Sequence, residues 1–150
     1  MLVECKDLTF RYPRTVSYVF KNLTCQISGP GFCALFGPSG VGKTTLAKII
    51  AHEISGFPGS VVAHDIGPIL YSYNLERLPG WCSVGDHLAE VTPDSNQGKI
   101  DDLVRFFGLQ GHLNSRFAQL SLGQQNRINL TRYLLQDFDF LIMDESLANV

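Results

Sequence analysis

A chain of 150 residues that is 45% hydrophobic is long enough for one compact domain with a real core. Its formal net charge of −2, with no Lys/Arg run, speaks against a long nucleic-acid footprint. No apolar run approaches the ~18 residues of a membrane span, and Met1 to Lys6 lack a signal-peptide layout.

In chain order, Leu8, Phe10 and Tyr12 alternate, as do Leu23, Cys25 and Ile27 against Asn22, Thr24 and Gln26. This period of two predicts half-buried strands that are antiparallel neighbours. Gly29-Pro30-Gly31 breaks the second strand, and Phe32 to Phe36 reads as a third, apolar one. Leu46, Ile49, Ile50 and Ile54 then keep helical spacing up to a stop at Gly56 to Gly59. Val61-Val62 and Ile69 to Tyr71 suggest short strands, and 72–83 a loop. Ile100, Leu103, Val104 and Phe107 predict a helix that ends at Gly108, and another helix spans about Ser121 to Leu135. The unbroken run Phe140 to Met143 suits a parallel strand covered on both faces. Cys5, Cys25, Cys33 and Cys82 contain no C-x-x-C pair and read as reduced, buried thiols rather than metal ligands.

Residues 37–44, Gly-Pro-Ser-Gly-Val-Gly-Lys-Thr, complete the pattern G-x-x-x-x-G-K-[ST] between the predicted strand and helix. That context gives the pattern a mechanism. Gly37, Gly40 and Gly42 allow the tight curl that turns successive N–H groups of Pro38-flanked Ser39, Gly40 and Val41 toward phosphate oxygens. The helix that starts at Lys43 adds the positive end of its dipole. Lys43 brings a full charge to the outer phosphates, and the Thr44 hydroxyl is suited to Mg²⁺.

Two further constellations carry chemistry. Asp144 and Glu145 follow the apolar strand, where a carboxylate can hold Mg²⁺ through water and its neighbour can polarise an attacking water. Leu120-Ser121-Leu122-Gly123-Gln124-Gln125 places a serine and small residues at a helix start, either an ordinary cap or an anion site.

In this order, the phosphate loop, the Leu-Ser-x-Gly-Gln signature and the hydrophobic-Asp-Glu strand resemble the ATPase subunit of ATP-binding cassette (ABC) transporters. The resemblance spans nearly the whole chain. It implies an α/β P-loop NTPase fold of the ABC type, with an N-terminal antiparallel β-subdomain and an inserted α-helical subdomain. The phosphate-loop core and β-subdomain would take 1–71 and 136–150, and the helical subdomain 84–135. It implies ATP and Mg²⁺ as cofactors and Glu145 and Lys43 as catalytic residues. Tyr12 would stack on adenine, Gly37 to Thr45 would hold the phosphates, and Thr44 and Asp144 would hold the metal, Asp144 through water. Ser121, Gly123 and Gln124 would act in trans within a head-to-tail dimer of two ATPase subunits. The other implied partners are a polytopic membrane permease and, for an importer, a periplasmic binding protein. No nucleic-acid partner is expected, and the implied location is cytoplasmic, peripheral on the inner face of the membrane.

The chain departs from the family pattern in several places. Leu122 stands where the signature has its first glycine. Ser72, Tyr73 and Asn74 occupy the region where a metal-contacting glutamine is expected, and Ser146 replaces a proline. Leu78-Pro79-Gly80-Trp81 is similar to a Leu-Pro-Trp stretch of nitrate, sulfonate and taurine importers. His52, His64, His87 and His112 all precede the acidic strand, so none matches the family's switch histidine. The expectation is therefore a C-terminally truncated ATPase domain that lacks one central strand, as well as turnover when alone. Two other classes stay open: a soluble ABC-type ATPase acting on nucleic acid or ribosomes, and a nucleotide-binding module without hydrolysis.

Overall fold

The computed structural model describes residues 1–73 and 79–144. Its contacts divide into two units. One comprises Met1–Tyr71 with Asp139–Ile142, and the other comprises the described residues from Ser72 to Phe138 with Met143 and Asp144.

In the first unit, β1 (Leu2–Phe10), β2 (Phe20–Ser28) and β3 (Ser60–His64) form an antiparallel sheet in the order β2-β1-β3. The inward residues of β1 change phase, from Val3 and Cys5 to Leu8. A register shift between Cys5 and Leu8 accounts for this, with Asp7 in the left-handed region at φ 52°. An extra residue in one strand carries the next side chain back to the inner face. The bulge is tied down by the Asp7 N–H, which donates to Thr24 Oγ1 at 3.0 Å. Gly59 (φ 101°) passes so close that a Cβ there would lie 2.6 Å from the Lys6 and Asp7 carbonyl oxygens. Helix α1 (Lys43–Ile50) lays Leu46, Ile49 and Ile50 on the inner face, against Val3, Cys5 and Leu8.

Strands β4 (Ile69–Ser72) and β5 (Phe140–Met143) form a second, two-stranded sheet. The expectation that Phe140–Met143 is covered on both faces is corrected, because all four residues are only half-buried. The predicted strand at Phe32 to Phe36 does not form. The run enters neither sheet, and Phe32, Leu35 and Phe36 are 110%, 58% and 89% exposed. A strand is defined by its ladder partners, and β4 and β5 pair with each other instead. Cys33 is consequently exposed, which corrects its reading as a buried thiol. Of the other cysteines, Cys5 is buried and Cys25 and Cys82 are half-buried, all of them reduced.

The second unit holds α2 (Val84–Val91), α3 (Ile100–Phe106) and α4 (Leu122–Leu134), joined by short 3₁₀ turns. Val84, Leu88, Val104, Leu109, Phe117, Leu120, Ile128 and Leu135 close one apolar core among them. Helix α2 begins at Ser83, whose hydroxyl accepts the Asp86 N–H at 3.1 Å. The 3₁₀ turn Asp94–Lys99 buries Asn96, which donates to the Leu135 carbonyl at the end of α4 (2.9 Å) and to Asp137 Oδ1 (2.7 Å). Among the described residues, no helix is long and apolar enough to cross a membrane.

Candidate functional site

The loop at residues 37–44 is built by backbone freedom at two of its three glycines. Gly40 (φ 79°) and Gly42 (φ 104°) occupy the left-handed region, where side chains are strained. A Cβ at Gly42 would also sit 2.6 Å from Val19 Cγ1 and 2.9 Å from the Phe20 ring. Gly37 has no such φ, and what a Cβ would meet there is Val41 Cγ1 at 3.1 Å. Gly42 is the N-cap of α1 and supplies no side-chain cap. The bond closing the first turn runs from the Leu46 N–H to the Gly42 carbonyl at 2.8 Å. The N–H groups at the very start of the helix therefore point out of it with no helical acceptor. Lys43 Nζ lies back over the loop, donating to the carbonyls of Gly37 (2.9 Å) and Pro38 (3.0 Å).

Unspent N–H groups, a helix dipole and a cation at one turn fit a polyanionic phosphate group. Thr44 is exposed at this helix start, whereas Thr45 is buried and its hydroxyl meets the Tyr12 hydroxyl at 3.0 Å. The Tyr12 side chain is thereby fixed to the first turn of α1. Its ring stands edge-on to Phe10 (centroids 5.0 Å) and is 41% exposed. A shallow groove runs along Arg11, Tyr12, Pro13, Arg14, Thr15 and Val16. Its turn is closed by the Thr15 hydroxyl, which donates to the Tyr12 carbonyl at 2.8 Å. A fixed, half-exposed aromatic flanked by two arginines suits a flat, electron-rich ring with phosphates attached.

In the second unit, Ser121 caps α4 in a reciprocal box. Its hydroxyl accepts the Gln124 N–H at 3.3 Å, and its own N–H donates to Gln124 Oε1 at 2.8 Å. Gln125 Nε2 braces the same turn from below, donating to the carbonyls of Leu120 (3.0 Å) and Phe117 (3.3 Å). Gly123 is half-buried, while Leu122 opens the helix 46% exposed. The Ser121 cap was visible in the sequence as a serine at a helix start. The partner of Gln124, His112, was not, because nothing in the spacing of an isolated histidine indicates that contact.

Asp144 directly follows β5 and is half-buried. Glu145, Ser146 and Asn74 lie outside the described residues, as does Leu78 of the Leu-Pro-Gly-Trp stretch. The Trp81 of that stretch is 82% exposed. No group of three or more His, Cys, Asp or Glu side chains suited to a metal occurs among the described residues.

A phosphate loop on α1, a capped signature helix and an acidic strand end, in one α/β chain, define a P-loop nucleotide-binding protein. Residues 20–148 match the family model described as ABC transporter, and the chain belongs to that family. A Thermotoga maritima protein named as the ATP-binding component of a metal transport system is 30% identical over 99% of this chain and 63% of its own length. The aliphatic sulfonates import ATP-binding protein of Bacillus subtilis is 29% identical over 95% of this chain and 60% of its own. The chain thus spans about three fifths of the length of these relatives. A solved ATP-binding protein of Pyrococcus furiosus classed with ABC transporters superposes with a TM-score of 0.82 at 24% identity, covering 100% of this chain and 78% of that one. This likeness shows that the fold is that of an ABC ATPase.

Proposed function

We propose that this chain is the ATP-binding and ATP-hydrolysing part of an ABC transporter subunit that powers a separate membrane permease from the cytoplasmic face. The observation that carries the reading is the start of α1. Its backbone N–H groups are left without a side-chain cap, and the Lys43 ammonium is held over the loop by two carbonyls. ATP would exchange those carbonyls for phosphate oxygens, giving Lys43 a charged partner instead of a neutral one. Gly37, Pro38, Ser39, Gly40, Val41, Gly42, Lys43, Thr44 and Thr45 would line the phosphates, with Tyr12 beside the base. Mg²⁺, when bound with ATP, would neutralise charge developing on the outer phosphates; Thr44 and, through water, Asp144 are the oxygens offered to it. Glu145 would orient the attacking water and accept its proton. Ser121, Gly123 and Gln124 would meet the outer phosphate of the opposite subunit in a head-to-tail dimer. The β-subdomain and phosphate-loop core would comprise 1–71 and 136–150, and the helical subdomain 84–135. In an importer, a periplasmic binding protein would be the further partner.

A second reading, binding without turnover, draws support from the exposed Leu122, which crowds the surface beside Ser121 that close approach to a phosphate requires. Calorimetry on Lys43→Ala tests what both readings share. Loss of a charged contact should weaken ATP·Mg binding at least ~10-fold, the equivalent of about 1.4 kcal/mol. Equal affinities in variant and parent would remove the phosphate-loop assignment itself, and phosphate release would then separate the two readings.

A further inference from the structure

We propose that His112 is a positioning residue for the signature, holding the Gln124 side chain in the one orientation that keeps the Ser121 cap closed. The proposal rests on the reading of Ser121 to Gln124 as the in-trans ATP contact. His112 ends a 3₁₀ turn (Gln110–His112), and its Nε2 lies 2.8 Å from Gln124 Nε2. Two nitrogens at this distance require one donor and one acceptor, and the cap decides which is which. Gln124 Oε1 is taken by the Ser121 N–H at 2.8 Å, an unambiguous donor. The NH₂ end of the amide must therefore face His112, so it donates and the imidazole accepts. His112 must then be neutral with its proton on Nδ1.

Protonating the ring would set two donors against each other. Turning the Gln124 amide over to relieve that clash would aim its NH₂ at the Ser121 N–H and open the cap instead. Either way Gln124 loses one of its two anchors. The distance between turn and signature is set by the shared core, since Leu109, whose carbonyl accepts the His112 N–H at 2.9 Å, is fully buried in one cluster with Leu120 and Ile128. The charged and titratable residues on the surrounding elements are Asp86, His87 and Glu90 of α2, Asp101, Asp102 and Arg105 of α3, Arg127 and Arg132 of α4, and Arg116. None forms an ion pair with the ring among the described residues, and Asp86 is engaged by the Ser83 hydroxyl at 2.6 Å.

The test compares His112→Ala and His112→Gln with the parent in the full-length protein. Glutamine at 112 can present a carbonyl oxygen to the same amide, so it should restore what alanine removes. The side-chain NH₂ signals of Gln124 in nitrogen-15 spectra report the contact directly, without nucleotide. They should exchange with water at least ~3-fold faster in His112→Ala, by the loss of one ordinary hydrogen bond, and return toward the parent rate in His112→Gln. ATP-dependent dimerisation should weaken ~3- to 10-fold in the alanine variant, with ATP affinity at the Lys43 loop unchanged. Identical amide signals in the parent and His112→Ala overturn the contact, and a changed amide with unaltered dimerisation overturns the positioning role. A parent that binds no ATP brings down the proposed function instead, and the positioning role with it, while the amide signals still report the contact.

Discussion

Cys5 and Cys33 show how far the environment, rather than residue type, sets chemistry. Cys5 is buried in the sheet core opposite Cys25, and desolvation first, then the neighbouring Cys25 thiol, push its thiol from the ordinary 9.0 up to about 12. Cys33 sits in the exposed run before the phosphate loop. The thiolate is the reactive species, so alkylation at pH 8.5 should label Cys33 rapidly and leave Cys5 untouched until the protein unfolds. Peptide mapping after timed iodoacetamide treatment checks this, and comparable labelling of both would contradict the buried placement of Cys5. The raised value also has a stability sign. The unfolded thiol ionises near 9.0 and the folded one near about 12, so the stability present below pH 9 declines as pH climbs through that window.

Elements were legible in the sequence where a single local rule governs them. The period-two pattern located β2 and only the last residues of β1, Leu8 to Phe10, missing residues 2–7 and running past the strand to Tyr12. The serine at a helix start placed the beginning of α4 within a residue of where it lies. The bulge at Asp7 was less legible, because a phase change from odd to even apolar positions looks like noise until the cross-strand register is known. The 3₁₀ turn Asp94–Lys99 was invisible, since it is held by one polar side chain reaching a helix end dozens of residues away. Asn96 satisfies the Leu135 carbonyl and Asp137 Oδ1, and its own Oδ1 accepts from Lys99 Nζ at 2.6 Å. Asn96→Ala would leave these groups short of partners in a site only 3% exposed. We expect a loss of about 2 kcal/mol, read from the urea midpoint at unchanged slope. Asn96→Asp should cost more, because a carboxylate would then face Asp137. Aspartate tolerated as well as asparagine would show that the hydrogen bonds to Leu135 and Asp137 matter little.

At the scale of the whole molecule, the feature that sequence logic misplaced is the apolar run Phe32 to Phe36. Its composition satisfies every local criterion for a central strand, yet strand formation is a non-local event that needs a neighbour with free N–H and C=O groups. In this chain β1, β2 and β3 pair among themselves and β4 with β5, which leaves the run without a ladder among the described residues. Phe32 and Phe36 are almost wholly in water as a result, and contiguous aromatic exposure of this kind drives association. We predict that the 150-residue chain self-associates with rising concentration and binds a hydrophobic dye strongly. Phe32→Ser with Phe36→Ser should reduce both. ATP·Mg should raise the unfolding midpoint of the same chain through its affinity for the folded loop, by up to about 2.7 kcal/mol at a hundredfold excess over Kd. The sign of the double substitution should reverse wherever a further strand pairs with this run. There each lost aromatic would leave a cavity and cost about 3–5 kcal/mol, as in an ordinary core. Light scattering and dye fluorescence on the two chains decide the matter, and a serine variant that associates as readily as its parent would place the adhesive surface somewhere else.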